Sequence, residues 1–487
     1  MELSKPNILL IMSDQHSPHV LGCNGDSIVR TPHLDALAKS GVNFSNTYCN
    51  SPICVPSRMS FMTGQLPSDL GIMCNEGILN SYTPTFAHAL NLADYETVLC
   101  GRMHFSGHDV HHGFVKRLVG DVSGGMKAGP LFDNGIPQHT GQYAAVVRGA
   151  GAGYQTYMAI DDDVARGAVR YLQERNKKEN ENPFCMVTGF LLPHNPYICP
   201  RELFEEYMDK VSVPEISAAE EAALHPAIKY TRKMRGEDTL TREEHRRARA
   251  AYYGLTTYLD ARIGEVLEAL KQTRFAENTI VIYVSDHGDM CAEHGMWWKS
   301  TFYDGAAKVP MLWSWPGHFP ANVTIDAITS LVDISPTLTD FTGAPQLPLQ
   351  RGNSLRALLE TGADAAWPDQ AISEIYILDF MQRMIRQGRW KLNQYQGYTD
   401  PQLFDLRNDP DEINDVGRDP RYQSLRDELM SLLNQYGDLE TLAAKARINQ
   451  ENYRFVVKSQ RQHPPQITET WELPKGYNRW EIPGKVE

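Results

Sequence analysis

Four apolar runs in this chain end on residues equipped for chemistry. Residues 8–12 lead to Asp14 and Gln15, 95–100 to Arg102 and His104, 184–192 to His194, and 278–285 to Asp286 and His287. The two aspartates are hard oxygen donors suited to Ca2+, Mg2+ or Mn2+, and Gln15 can add a carbonyl oxygen. His287 tilts the preference toward a transition metal, while His104 and His194 can carry protons near neutral pH. Arg58, Arg102 and Lys299 can hold a tetrahedral oxyanion and offset its developing charge. A lone histidine is usually a satisfied core or surface group, and a lone aspartate after a strand is usually a helix cap. Recurrence at one kind of position is what argues for a site, and the residue types point to sulfuryl or phosphoryl transfer.

A further reactive residue lies in Ser51-Pro-Ile-Cys-Val-Pro-Ser-Arg58. Pro56 suits the first position of a helix. Cys54 then stands just before a helix N-terminus, facing unpaired N–H groups, with Arg58 one turn in. The same pattern fits a buried structural cysteine.

The elements that must position these residues alternate between buried strands and helices over the first ~360 residues, which predicts an α/β domain with a large, mostly parallel sheet flanked by helices. Open sheets of this kind bind ligands at the carboxyl ends of their strands. Helices are expected at 31–39, 85–90, 162–175, 252–270 and 333–341. Residues 106–153, rich in glycine and histidine, read as loops at the mouth of a site. Charges of both signs over 216–250 read as a solvated helical face. Past residue 365 the texture changes. Residues 385–392 and 402–406 resemble strands of a small antiparallel sheet, and Leu425, Leu429, Leu432 and Leu433 mark a helix that stops at Gly437. The expected organisation is a catalytic domain over 1–365, a smaller C-terminal α+β subdomain over 366–450, and an arm over 451–487 that packs on the body or on a second copy.

The chain has 487 residues, 42% of them hydrophobic and 22% charged, with a formal net charge of −13. That balance argues against a general nucleic-acid or anionic-membrane binder, so an anionic substrate must be drawn in by a local positive site. No apolar run approaches the ~20 residues of a membrane span. The eight cysteines include no C-x-x-C pair, which favours reduced thiols. The first residues lack a signal-peptide pattern, and a cytoplasmic location is the expectation.

Cys54-Val-Pro-Ser-Arg58 with Thr63-Gly64 resembles the signature of the type I sulfatases, in the alkaline-phosphatase-like superfamily. Gly101-Arg-Met-His104, Pro193-His194, Asp286-His287-Gly288 and Lys299 resemble further blocks of that family in the same order, and Leu403-Phe-Asp-Leu406 resembles its C-terminal subdomain. The resemblance implies that a maturation enzyme oxidises Cys54 to formylglycine, whose hydrate attacks a sulfate ester. It also implies one divalent metal, Ca2+ first, held by Asp14, Gln15, Asp286, His287 and residue 54. His194, with Lys299, would assist the leaving alcohol, and His104 would take the proton that releases sulfate. Arg58 would offset charge, while Arg102 and Asn75 would contact the transferred group. Gln15 and His287 resemble the choline-sulfatase and phosphonate monoester hydrolase branches, and Arg102 stands where the family usually has lysine. Two other readings stay open: a phosphodiesterase or phosphonate monoesterase on the same scaffold, and an unmodified, non-catalytic binder of sulfated ligands.

Overall fold

The computed structural model describes residues 5–107, 109–121, 141–179, 182–463 and 479–480. Its main sheet has eight strands in the spatial order Val323–Ser330, Val42–Tyr48, Lys308–Ser314, Thr279–Ser285, Asn7–Asp14, Phe184–Pro193, Glu96–Gly101, Lys116–Val119. Only Lys308–Ser314 runs against its neighbours. The four apolar runs singled out in the sequence are therefore parallel, and they are adjacent to one another. Their carboxyl ends form one continuous edge.

The reason lies in the side-chain alternation of a strand. Leu9 and Ile11 pack into one core layer and Ile8, Leu10 and Met12 into the other, so Asn7–Asp14 is covered on both faces. A strand buried twice has to read as an unbroken apolar run. Helices Thr156–Asn176 and Arg242–Lys271 cover the first face, and Cys54–Thr63, Phe86–Leu92 and Ile334–Thr342 pack on the second. One close approach fixes the edge near Arg102. A Cβ on Gly189 would sit 1.7 Å from the Arg102 carbonyl oxygen, and the Arg102 N–H donates to the Gly189 carbonyl at 2.8 Å.

The second sheet is antiparallel, built from Gln370–Ile377, Phe380–Gln387, Trp390–Tyr395 and Gln402–Asp405 in that order. Residues 385–392, expected as one strand, are split by a turn at Gly388 and Arg389; Gly388 has φ +50°, a conformation glycine adopts cheaply. Lys391, fully buried, ties this sheet to the main domain through an ion pair to Asp304 at 2.7 Å and also pairs with Glu412, which accepts the Asp304 N–H. Helix Gln423–Asn434 lies on the sheet as the leucine pattern predicts. Helix Leu439–Gln462 continues through residue 451, where the sequence suggested an unpatterned arm. Leu442, Ala443 and Ala446 pack on Met73, Tyr376 and Met381, and Lys445 donates to the Ser68 carbonyl at 2.7 Å. Further on, Arg479–Trp480 pairs with Gly153–Tyr154. The rest of the arm, 464–478 and 481–487, lies outside the described residues.

Within 106–153 the described residues include a strand at Lys116–Val119, a helix at Ala144–Arg148 and a strand at Gly151–Tyr154. Residues 108 and 122–140 of that stretch lie outside the description. No described helix is long and apolar enough to cross a membrane.

Candidate active site

Cys54 is the first residue of helix Cys54–Thr63 rather than the residue before it, and Pro56 is the third. Its thiol is 1% exposed. The sulfur lies 3.2 Å from His287 Nε2, 3.1 Å from Lys299 Nζ and 3.6 Å from Asp14 Oδ1. Asn75 caps the helix start, its Oδ1 accepting the Val55 N–H at 2.9 Å. That bond satisfies one of the donors a helix N-terminus leaves unpaired.

Two arginines divide the carboxylates. Arg58 donates from Nε to Asp286 Oδ2 at 2.8 Å and from Nη2 to Asp14 Oδ2 at 3.1 Å. Arg102 pairs with the same Asp14 oxygen at 2.7 Å. Each aspartate thus spends one oxygen on a guanidinium and keeps the other toward Cys54 and His287. Burial pushes Asp14 up, but Arg102, then His194, Arg58 and Lys299, outweigh it and hold this carboxylate well below its usual range. Asp14 therefore stays charged in the core.

His287 is held neutral. Burial lowers it to about 4, Lys299 pushes the same way, and the nearby aspartates only partly oppose them. Its Nδ1 lies 3.0 Å from the Gly288 carbonyl, which accepts a proton from that nitrogen and leaves Nε2 as a lone pair facing the cluster. Single ligand atoms of Asp14, Cys54, Asp286 and His287 all lie within 4.8 Å of one another. Gln15 follows Asp14 directly at φ +68°, its backbone N–H donating to Asp286 Oδ1 at 3.1 Å. Its Oε1 is buried with no hydrogen-bond partner. Two carboxylate oxygens, a neutral imidazole nitrogen and an orphaned carbonyl oxygen are a donor set that fits a divalent cation.

Two histidines and one phenol complete the pocket. His194 Nδ1 sits 2.6 Å from the Asn195 carbonyl, and the ring also hydrogen-bonds the Cys54 side chain; burial and Lys299 lower its pKa, while Asp14 and Cys54 counteract. His104, at φ +60°, receives the Arg102 Nη2–H on Nδ1 at 2.7 Å. Its proton is thereby on Nε2. Burial and then Arg102 hold it well below its usual value. Tyr157 stands edge-on to His194 with ring centroids 5.8 Å apart.

Three aspartates that the sequence reading passed over hold these groups in place. Asp121 Oδ2 accepts the N–H groups of Met103 and His104 at 3.1 and 2.7 Å. Asp161 accepts those of Leu191 and Leu192 at 2.8 and 2.9 Å, just before His194. Asp289 accepts from Gln15, Tyr197, Cys291 and Trp298. Only Asp289 had a local signal, its place in Asp286-His287-Gly288-Asp289.

A mixed, mostly parallel sheet with an Asp/Cys/His cluster at its carboxyl edge defines an alkaline-phosphatase-like hydrolase. Comparison with known proteins narrows the class. The sulfatase family profile matches residues 6–344, and that of the N-sulphoglucosamine sulphohydrolase C-terminal region matches 292–438. The chain belongs to the sulfatase family and is a sulfuric ester hydrolase. It is 33% identical to a choline-sulfatase of Rhizobium meliloti over 94% of this chain and 91% of that one. It is 29% identical to arylsulfatase K of Canis lupus familiaris over 98% and 92%. Among solved structures, the phosphonate monoester hydrolase of Agrobacterium radiobacter superposes with a TM-score of 0.74 at 25% identity, covering 88% of this chain and 96% of that one.

Proposed function

We propose that this enzyme cleaves a small-molecule or saccharide sulfate ester with formylglycine made from Cys54 and one divalent cation. The observation that carries the reading is the placement of residue 54, whose sulfur touches Lys299 Nζ at 3.1 Å and His287 Nε2 at 3.2 Å inside the ligand cluster. Oxidised, residue 54 would supply an aldehyde hydrate whose hydroxyl attacks sulfur in line. A cation held by Asp14, Asp286, His287 and Gln15, Ca2+ first with Mg2+ or Mn2+ as alternatives, would polarise the sulfate and favour ionisation of the attacking group.

The chain's own residues do the rest. Arg102 and Lys299, both buried, would hold the sulfate where their charge is worth more than in water. A sulfate beside His194 favours its protonated form, and Nε2 can then pass a proton to the leaving oxygen while Nδ1 stays anchored on Asn195. Lys299 supports the same transfer. His104 donates from Nε2 as long as Arg102 occupies Nδ1; release of that bond frees Nδ1 to take the proton that lets sulfate depart. Asn75, with its oxygen committed to Val55, has its amide N–H groups left for the transferred group.

Peptide mass analysis of residue 54 in protein from its native host, alongside aryl sulfate and phosphodiester assays at equal metal loading, tests this. Formylglycine at 54 and faster sulfate turnover are expected. Unmodified cysteine alone overturns the mechanism and leaves the non-catalytic binder. Faster phosphodiester turnover overturns the sulfate preference; the likeness in fold to a phosphonate monoester hydrolase is what favours keeping that second reading in the test.

A further inference from the structure

The Gln15 side chain ends in an amide with two faces of nearly equal size, and only its carbonyl oxygen can bind a cation. Something must decide which face turns inward. In this protein, with Asn195 Oδ1 a longer acceptor for the same amide at 3.4 Å, the decision falls chiefly to Asp289, a fully buried carboxylate outside the ligand cluster. Its Oδ1 accepts the N–H groups of Cys291 at 2.8 Å and Trp298 at 3.1 Å. Its Oδ2 accepts the Tyr197 hydroxyl at 2.7 Å and Gln15 Nε2 at 2.5 Å. With both oxygens filled by donors the group acts as an acceptor only, so the amide face against it is the NH2. Gln15 Oε1 is then the end left for the cation, and it is the buried atom without a hydrogen-bond partner.

This arrangement also explains why position 15 carries a neutral amide. A carboxylate there would stand at hydrogen-bond distance from Asp289, and two buried like charges at that range disfavour each other strongly. The same Asp289 holds the Trp298 N–H, one residue before Lys299, whose Nζ reaches Cys54 at 3.1 Å. One carboxylate therefore links a prospective ligand to the lysine across the pocket.

We propose that Asp289 is a positioning residue that selects the metal-binding face of Gln15 and sets the backbone entering Lys299. The inference rests on the cation reading given above. The perturbation that isolates it is Asp289→Asn. The new side-chain oxygen keeps Cys291 and Trp298, but the new NH2 meets the NH2 of Gln15, which must turn over and present its donors to the cation. Removal of an outer-shell partner of this kind weakens metal affinity by about 10 to 100-fold. Pairing it with Gln15→Glu reverses the loss, because a carboxylate at 15 accepts from the new amide at 289 and still offers an oxygen inward. Gln15→Glu alone sets two carboxylates against each other.

The experiment is calorimetric titration of metal-stripped protein with Ca2+ and with Mn2+, with the metal-free melting temperature recorded for each variant. The expected result is a cation dissociation constant at least tenfold weaker in D289N and recovered at least tenfold in the Q15E/D289N double variant. Q15E alone is expected to melt below the parent protein. A merely structural loss at Asp289 would not be repaired by a carboxylate at 15. A D289N dissociation constant within twofold of the parent's, or a double variant no better than D289N, overturns the proposal. Should D289N fail to fold, the double variant decides: binding supports the proposal, and absence of binding overturns it. A parent protein that binds neither cation refutes the metal reading itself, at the first titration, and this inference with it.

Discussion

Replacing Arg58 by methionine removes the guanidinium that bridges both aspartates. Its guanidinium donates to Asp286 at 2.8 Å, to Asp14 at 3.1 Å and to the Arg102 carbonyl at 3.1 Å, with no exposure to solvent. Methionine fills a similar volume but leaves buried charge uncompensated, a change that costs about 3–5 kcal/mol. Arg102 still holds Asp14, so the loss falls mostly at Asp286. Unfolding entropy of roughly 2.1 cal/mol/K per residue over 487 residues gives about 1 kcal/mol/K. The melting temperature of Arg58→Met in chelator should therefore fall by about 3–5 °C. Arg58→Lys should recover less than half of that, because one ammonium cannot bridge two carboxylates held by different guanidinium nitrogens. The assay is thermal unfolding followed by circular dichroism. A methionine variant that melts within about 1 °C of the parent would show that the aspartates do not depend on Arg58 for their burial.

Two further outcomes follow from the same reasoning. Asp161→Asn replaces one acceptor by an NH2 facing the Leu191 or Leu192 N–H; it should cost about 1–3 kcal/mol and lower kcat more than it raises KM, measured by steady-state kinetics. His245 accepts the Trp297 indole N–H at 2.7 Å, and burial lowers it from 6.5 to about 4. The unfolded chain then binds more protons than the fold between those values, so stability is present above pH 6.5 and is lost as pH falls toward 4, by about 2 kcal/mol after allowance for partial exposure. His245→Asn keeps an acceptor but does not titrate. Melting temperatures at pH 7, 5.5 and 4.5 should show a shallower decline in the variant than in the parent; equal slopes would refute this.

The strand ends were legible because burial on both faces forces an unbroken apolar run, and such a run carries its functional residue at a fixed place. Lys308–Ser314 and Val42–Tyr48 were not legible, for opposite reasons. The first carries Pro310 inside the strand, and the second loses its alternation at Ser45, Asn46 and Thr47, three polar residues in a row. Helix Leu439–Gln462 hid because, among its described side chains, only Leu442, Ala443 and Ala446 are buried against the body, too short a stripe for 24 residues. The clustered carboxylates, imidazoles and cationic side chains could be singled out from type and spacing together with the family signature. Asp121, Asp161 and Asp289 could not be given roles, since a carboxylate that binds backbone N–H groups is defined by what folds beside it and leaves no periodic trace.

The central parallel pair joins Asn7 to Thr279 and Ser13 to Ser285. During synthesis from the N-terminus, the Asn7–Asp14 strand gains its first neighbour with Phe184–Pro193 and its second only with Thr279–Ser285. Through that interval Arg58 lacks Asp286, and Cys54 lacks His287 and Lys299, which lie 3.2 and 3.1 Å from its sulfur in the finished fold. In the finished fold the thiol is 1% exposed. Residue 54 is thus open to solvent in the growing polypeptide and closed in the folded protein, and its closure waits on residues more than two hundred positions further along the chain.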